Sequence, residues 1–264
     1  MSSFTSILKI LEFLKLLIFF FFENLILLIF PPCKKKKFYG RQIALKFAPL
    51  GAALVLWDID GEGNKETSTL AQKNGATQVL VYHCDCSSRE EVYEQADKVR
   101  KEVGDVTILI SNAGILLGEK FCDVSDADFE KTLRVNFFSQ VWTCKAFLPA
   151  MMTCNHGHLV STASAAGLLE IRDYYSASKH GVKTTVICPY FINTKLAKGF
   201  QTKNPLILPV YDAEYAASKI MDAIQKEKFY LIMPLTSYIF SIKTKNVTHL
   251  LAFMDKAFSR KKKD

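Results

Sequence analysis

The residue pair best suited to chemistry in this chain is Tyr175 and Lys179, which lie four positions apart in Tyr-Ser-Ala-Ser-Lys. Residues four apart on a helix share one face, so the lysine ammonium would lie beside the phenol. A nearby positive charge favours the phenolate and moves a tyrosine pKa down toward neutral pH. The pair is therefore a candidate general acid/base for moving a proton at a hydroxyl or carbonyl group.

Two polar residues upstream can support that proton transfer. Ser164 follows a predicted strand, residues 158–162, and its hydroxyl can hydrogen-bond a substrate oxygen. Asn136 lies where the helical pattern of residues 125–152 breaks, and a water that relays protons can be held at such a break. Ser164 lies eleven residues before Tyr175, and together with Asn112-Ala113-Gly114 after one strand and aspartates after the preceding strands this makes a chance occurrence of the whole set improbable.

Acidic and small residues follow three other predicted strands. In a dinucleotide-binding fold, a strand-end carboxylate hydrogen-bonds the adenosine ribose and repels a 2′-phosphate, so Asp58 favours NAD over NADP. Asp85 ends the next strand, where the adenine edge would lie. Asn112, before Ala113-Gly114, can hold a turn that lets the backbone approach a flat ligand. A single strand-end aspartate is usually a turn former, but two in succession are more informative.

Strands and helices alternate from about residue 40 to residue 234. Such alternation is typical of a parallel sheet covered by helices on both faces. The predicted strands are residues 53–57, 78–83, 106–110, 158–162, 184–188 and 229–233. A capping box at Ser87 and Ser88 predicts the start of the helix that ends at Gly104. The fold class is therefore α/β with a doubly wound parallel sheet.

The N-terminal segment is dominated by Leu, Ile and Phe from residue 7 to residue 30. As one helix these residues would span ~36 Å at ~1.5 Å per residue, enough to cross a bilayer. Lys34–Lys37 would hold the end of that helix in the cytosol. We expect an uncleaved hydrophobic anchor at residues 1–33, one domain at 34–234 and an apolar, basic tail at 235–264. The alternative is a buried core helix.

Composition excludes several classes of protein. The chain has 264 residues, of which 49% are apolar, so it is not disordered as a whole. Its seven cysteines are odd in number, which excludes a fully paired disulfide framework and indicates a reducing compartment. The net charge of +8 arises from Lys34–Lys37 with Arg41 and from Arg260–Lys263. These basic runs favour membrane lipids over nucleic acid as partners. We assign no metal site.

Several short segments resemble the short-chain dehydrogenase/reductase superfamily. Within it they are most similar to the membrane-anchored epidermal retinal dehydrogenase and 17β-hydroxysteroid dehydrogenase group. The segments are LVLWDID, HCDCS, GDVTILISNAG, FLPAMM, GHLVS, YSASK and CPYFINT. The resemblance implies a Rossmann-like fold, an NAD(P) cofactor and oxidoreduction of lipophilic alcohols or ketones, such as retinoids or steroids. It also implies the endoplasmic reticulum membrane or lipid droplets as location; a homo-oligomer stays open.

The resemblance also implies a role for each matching residue. Tyr175 is the general acid/base, Lys179 lowers its pKa and holds the nicotinamide ribose, Ser164 polarises the reacting oxygen and Asn136 supports a proton-relay water. On the cofactor side, Asp58 selects NAD, Asp85 lies by the adenine, Asn112 lines the cleft, Pro189 and Thr194 lie near the carboxamide, and Gly40 is the last glycine of the phosphate-binding loop.

Two parts of the family pattern have no counterpart in this chain. The family opens with a strand and TGxxxGxG, whose amides hold the diphosphate. Here Lys34–Lys37 lead through Phe38-Tyr39 straight to Gly40, so the central strand and all but the last glycine are missing. The apolar residues 25–30 are a candidate replacement strand, but they cannot also serve as membrane anchor.

The second missing part follows Lys179. Only residues 180–183 precede the predicted strand 184–188. Four residues reach at most ~14 Å, while returning along a five-residue strand covers ~17 Å. The Tyr/Lys helix and that strand therefore cannot both occupy their family positions. Two hypotheses remain: an NAD-dependent oxidoreductase of lipophilic alcohols, or a catalytically inactive, membrane-anchored remnant of one.

Overall fold

The structure, a computed structural model, covers most of the expected domain. It describes residues 39–116, 121–164, 182–194, 196, 202 and 209–234. The expected anchor at residues 1–33, the tail at 235–264, and both Tyr175 and Lys179 lie outside the described residues. No helix within the described ranges is both long and apolar enough to cross a membrane.

The described strands are all paired in parallel, as the alternating pattern predicts. They are β1 (Ala53–Asp58), β2 (Gln78–His83), β3 (Ile108–Ser111), β4 (Gly157–Thr162), β5 (Val182–Pro189), β6 (Phe191–Ile192), β7 (Val210–Tyr211) and β8 (Tyr230–Met233). They form a four-stranded sheet in the order β3-β4-β5-β8 and two separate pairs, β1-β2 and β6-β7. The expected α/β class with parallel strands is therefore confirmed.

Six α-helices connect or flank these strands in the described ranges. They are α1 (Tyr39–Phe47), α2 (Gly61–Lys73), α3 (Arg89–Glu102), α4 (Asp126–Leu133), α5 (Ser139–Thr153) and α6 (Ala213–Gln225). A π-helical turn, Arg134–Phe138, joins α4 to α5. The break predicted near Asn136 is therefore confirmed, and its cause is this wider turn.

The start of α3 shows how the local sequence sets a helix boundary. The Ser88 side chain accepts a hydrogen bond from the Glu91 amide at 3.2 Å, so Ser88 is the N-cap. The Glu91 carboxylate reaches past the cap and accepts from the Asp85 amide at 2.9 Å. The capping box is therefore not reciprocal, because the Glu91 carboxylate accepts from Asp85 and not from the amide of the N-cap residue. Glu91 instead links the start of α3 to the end of β2. Gly104, at φ +98°, follows the helix in the left-handed region that glycine tolerates.

Two apolar layers cover the two faces of the sheet. On one face, α1 and α6 pack on the strands through Ile43, Phe47, Ala216, Ala217, Ile220, Met221 and Ile224, against Val160, Ile187 and Met233. On the other face, α3 and α5 pack through Ala96, Val99, Phe147 and Met151 against Leu159 and Val182. Helices on both faces are the arrangement expected of a doubly wound sheet.

As far as the described residues show, the sheet is interrupted between β1 and β3. No backbone pairing joins these two strands in the part of the chain that the structure describes. Both nevertheless contribute to the same layers, since Leu54 and Ile110 pack on the first and Val55 and Leu109 on the second. Residues of β1 and β3 are half-exposed, and Ile108 is 37% exposed, whereas β4 is buried along most of its length. The interruption lies where the family resemblance puts the missing central strand.

His158 in β4 makes the stability of this core dependent on pH. It is 7% exposed, and its Nε2 lies 2.8 Å from the Thr185 hydroxyl oxygen. Burial first, and then the positive charge of Lys183, lower the pKa of His158, while Glu227 acts in the opposite direction. The unfolded chain therefore takes up a proton more readily, so we expect the free energy of unfolding to fall as pH drops below about 6.5.

Denaturant titrations at about pH 7.5 and about pH 5.5 measure this effect. His158→Gln should reduce the loss of stability between the two pH values. His156→Gln, at an exposed position two residues away, should keep the full loss. An equal loss in the His158 variant and the unchanged chain would show that other groups cause the acid sensitivity.

Candidate functional site

The residues expected to bind a ligand gather at one edge of the sheets. Asp58 ends β1, Asp85 follows β2, Asn112 follows β3 and Ser164 follows β4. β1 is parallel to β2, and β3 is parallel to β4, so the carboxyl ends of the two strands in each pair lie at the same edge of their sheet. In open α/β sheets, ligands bind in the crevice outside this edge. The structure thus brings these four predicted residues to the right end of their strands.

The two aspartates differ in exposure and in what they hold. Asp58 is exposed, and its Oδ1 accepts a hydrogen bond from the Asp60 amide at 3.0 Å. Asp85 is half-buried, and its Oδ1 accepts from the Ser87 amide at 2.8 Å. Both therefore act as turn formers, and Asp58 in addition presents an exposed carboxylate at the expected adenosine position. The turn-forming role predicted for a lone strand-end aspartate applies most clearly to Asp85.

Gly40 and Asn112 meet where α1 begins. A methyl group in place of the Gly40 hydrogen would lie 3.1 Å from Asn112 Nδ2, a contact tighter than most side chains adopt. The Thr162 hydroxyl donates to Asn112 Oδ1 at 3.4 Å. Asn112 therefore links the start of α1 to the end of β4, and Gly40 permits the close approach of the helix. Asn112 follows β3, so this contact lies at the carboxyl ends of the strands, the edge where ligands bind in open α/β sheets.

Asn136 is engaged on both sides of its amide group. Its Oδ1 accepts from the Ile115 amide at 2.8 Å, and its Nδ2 donates to the Ile115 carbonyl at 2.9 Å. The side chain thus fixes the loop after β3 to the π-helical turn. The Asn136 backbone carbonyl in turn accepts a hydrogen bond from Gln140 Nε2 at 3.0 Å. One lone pair of Oδ1 and one N–H of Nδ2 are not used by the Ile115 contacts, so the predicted role in holding a water stays a prediction.

Gln140 is a site residue that the sequence interpretation missed. Its side chain accepts a hydrogen bond from the Ser161 hydroxyl and also donates to the Thr162 carbonyl at 3.4 Å. It thereby joins α5 to the end of β4, beside Asn136 one helical turn earlier. The signal was available, because residues four apart on a helix share one face.

The remaining predicted residues are less completely covered by the structure. Ser164 lies exposed two residues beyond β4. The Thr194 hydroxyl donates to the Ile192 carbonyl at 3.3 Å, and Pro189 is the last residue of β5. Within the described ranges, no cluster of three or more His, Cys, Asp or Glu could hold a metal ion. The roles assigned to the predicted residues stay predictions.

Comparison with known proteins identifies the family. The profile of the short chain dehydrogenase family matches residues 39–188. Epidermal retinol dehydrogenase 2 of Mus musculus is 50% identical over 220 residues, covering 75% of this chain and 71% of the relative. Estradiol 17-beta-dehydrogenase 11 of Macaca fascicularis is 39% identical over 216 residues, covering 74% and 71%. A Sphingobium yanoikuyae short-chain dehydrogenase, solved with NADPH, has a TM-score of 0.66 at 17% identity, covering 86% and 94%.

The chain therefore belongs to the short-chain dehydrogenase family, and by family it is an NAD(P)-dependent oxidoreductase. The resemblance to the retinoid and steroid group is likewise confirmed. The mouse relative also has residues within the aligned span that this chain lacks. This follows because the 220 aligned positions outnumber the residues in 75% of a 264-residue chain.

The described residues fit a dinucleotide only in part. At the adenosine end, the exposed carboxylate of Asp58 is suited to ribose hydroxyls. At the diphosphate end, residues 1–39 contain no glycine, and Gly40 is packed against Asn112. The described residues begin at Tyr39, and among them no glycine-rich turn precedes the helix start to supply close backbone amides. The described residues therefore fit the adenosine half of the cofactor and do not provide for the diphosphate half.

Proposed function

We propose that this chain is a membrane-attached member of the retinoid and steroid group. Such a member oxidises or reduces lipophilic alcohols or ketones with NAD, and we propose that in this chain the activity is lost or very weak. Identity of 50% to a retinol dehydrogenase and of 39% to an estradiol dehydrogenase supports the substrate class. The exposed carboxylate of Asp58 supports NAD rather than NADP, since it would repel a 2′-phosphate.

The interruption of the sheet between β1 and β3 carries the proposal of weak activity. In this family the diphosphate is held by the turn between the central strand and the following helix. In the described chain, α1 starts at Tyr39, and no described strand pairs with the facing edges of β1 and β3. Among the described residues, a turn of that kind therefore has no preceding strand.

The position of β5 supports the same conclusion for the catalytic pair. β5 starts at Val182, which pairs with Gly157 at the amino end of β4, while Ile187 pairs with Thr162 at its carboxyl end. The five steps from Val182 to Ile187 cover ~17 Å. Lys179 precedes Val182 by three residues, so its Cα reaches at most ~11 Å from there. The short connection from Lys179 to Val182 therefore argues against a helix that carries Tyr175 and Lys179 and lies alongside Ser164, as the family requires.

One set of observations favours the alternative, a working enzyme. Asp58, Asn112 and Ser164 follow their strands at the expected edge, and the loop after β3 is fixed to Asn136. The affinity of the purified full-length chain for NAD separates the two functions, because a working enzyme must bind its cofactor. We expect weak, salt-sensitive binding, since only long-range attraction to lysines would replace the missing amides.

We also propose that residues 1–33 attach the protein to the endoplasmic reticulum membrane or to lipid droplets, with the domain in the cytosol. The apolar composition of residues 7–30 and the adjoining Lys34–Lys37 support this location.

Membrane fractionation tests the anchor. The full chain should sediment with membranes and resist extraction by high salt, because its attachment is hydrophobic rather than ionic. A variant lacking residues 1–33 should move largely to the soluble fraction. Equal distribution of the two proteins would rule out the anchor.

A further inference from the structure

A groove with aromatic and charged walls lies between α3 and the start of α5. Its volume is about 550 Å³, and the residues that line it include Arg89, Glu90, Tyr93, Phe138, Trp142 and Lys145. The rings of Phe138 and Trp142 stack with their centroids 5.7 Å apart and their planes inclined by 18°. The ring of Phe137 meets that of Phe138 edge-on at 5.3 Å. We call this feature the aromatic groove.

The rim of the aromatic groove is apolar and exposed. Phe137 is 50% exposed, and Phe138 and Leu133 are each 41% exposed. Leu133 and Phe137 are four residues apart, as are Phe138 and Trp142, so these side chains follow one side of the helical region. Large apolar side chains that are exposed next to one another mark a surface that contacts a protein, a ligand or a membrane.

Positive charge surrounds these rings. Arg134 lies one helical turn before Phe138, and Arg89 and Lys145 line the groove itself. Arg89 pairs with Glu90 at 2.8 Å, whereas Arg134 and Lys145 form no ion pair among the residues that the structure describes. Aromatic rings beside lysine or arginine are typical of surfaces that lie in the interface of an anionic bilayer.

The groove lies near the point where the proposed anchor joins the domain. Asn136 of the π-helical turn binds the Ile115 backbone at 2.8 and 2.9 Å, while Gly40 at the start of α1 lies against Asn112. Both helical segments therefore adjoin the loop after β3. α1 starts six residues after the proposed anchor ends, and six residues reach at most ~21 Å. A bilayer that holds the anchor is thus close to this edge of the domain.

We propose that the aromatic groove is a second membrane contact, which docks on an anionic bilayer. Phe137 and the stacked rings enter the boundary between headgroups and acyl chains, and Arg134 and Lys145 contact lipid phosphates. The inference rests on the proposed membrane attachment for the closeness of the bilayer. A second copy of the chain fits this surface less well, because a two-fold interface would bring the same positive charges together.

Quenching of tryptophan fluorescence by brominated lipids tests this contact in the full-length chain. Its two tryptophans are Trp142, at the groove, and Trp57, which packs on Phe147 at 5.9 Å. The probe is a vesicle of phosphatidylcholine with about one-quarter phosphatidylserine, brominated on the upper acyl chains. Interfacial side chains lie ~5–10 Å deep, so Trp57→Phe, which keeps only Trp142, should lose at least about half of its emission.

The matched control for this measurement is Trp142→Phe, which keeps only Trp57 and should retain nearly all of its emission. The difference between the unchanged chain and Trp142→Phe gives the quenching of Trp142 even where Trp57→Phe does not fold. Equal quenching of the two tryptophans would contradict the proposal, because Trp57 does not line the groove.

Charge variants test the choice of an anionic bilayer. Arg134→Gln with Lys145→Gln should reduce the quenching of Trp142 at least about twofold, and vesicles without phosphatidylserine should have a similar effect. Lys65→Gln with Lys73→Gln removes the same charge from exposed positions of α2 and should leave the quenching unchanged. An equal effect of the two double variants would contradict a role for the groove.

Flotation of the same vesicles in a density gradient separates this contact from the anchor. If the chain floats with the vesicles and Trp142 stays unquenched, the groove proposal is wrong and attachment through residues 1–33 stands. If the chain floats only with vesicles that contain phosphatidylserine and Trp142 is quenched, the groove is supported and the anchor is wrong. An unquenched Trp142 in a chain that cross-links as a dimer would assign the groove to a second copy.

Discussion

Insertion of a strand and a TGxxxGxG turn before Gly40, together with a full helix after Lys179, should tighten NAD binding by at least ~100-fold. Two hydrogen bonds from backbone amides to a charged diphosphate, at about 1.5 kcal/mol each, account for that factor. The inserted strand is designed to lie between β1 and β3, whose residues Leu54 and Ile110 pack on a common apolar layer. The inserted strand would complete the sheet and place the turn beside Asn112.

A matched insert of equal length, with alanine in place of each glycine of the turn, is the control. It supplies the strand but keeps the backbone amides from the diphosphate, so the gain in affinity should be mostly lost. Equal affinity of the two inserted chains would show that the gain comes from a repaired fold rather than from the turn. No gain in either would contradict the placement of the missing segment.

In the chain with both insertions, Tyr175→Phe should lower turnover of a lipophilic alcohol by at least ~10²-fold. The substitution removes the hydroxyl proposed to carry the proton and keeps the ring, so affinity for NAD should change little. Tyr174→Phe is the control, because Tyr174 does not lie four residues before Lys179. NADH formation from all-trans-retinol measures both. Equal losses in the two variants would mean that the general acid/base has been misassigned.

Most strand positions could be predicted because their side chains are continuously apolar. The predicted strand at 78–83 coincides with β2, and the predicted 53–57 is extended by one residue in β1. β5 starts at Val182, two residues earlier than predicted, because Lys183 points out while its neighbours are buried. The charged Lys183 therefore made the first two residues of β5 hard to recognise as strand from the sequence. β3 begins at Ile108, two residues later than predicted, where its pairing with His158 starts.

The contacts within the site were less accessible to sequence reasoning. The break near Asn136 could be predicted, but its side chain binds Ile115, and that contact depends on how the loop after β3 folds back. The approach of Gly40 to Asn112 likewise depends on the packing of α1. Such contacts join residues far apart in the chain and leave no periodic pattern.

The sequence predicted that the central strand is missing, but it did not predict how the flanking elements are arranged. Its loss was predicted from the short sequence between Lys34–Lys37 and Gly40 and from the absence of glycine before Gly40. Less evident was that the elements on either side would keep their arrangement. β1 and β3 both still contribute to the two apolar layers, since Val55 and Leu109 pack on the layer formed by α3 and α5. Within the described residues, the helices on each face therefore pack on both parts of the domain.

Calorimetric titration of the purified full-length chain with NAD tests the central claim most directly. The interrupted site predicts a dissociation constant in the millimolar range or weaker, because Asp58 can hold the adenosine ribose but nothing described holds the diphosphate. The residual affinity should fall steeply between low and high ionic strength, since flexible lysines act through a screened field. A micromolar dissociation constant that does not change with salt would contradict this account and identify the chain as a working dehydrogenase.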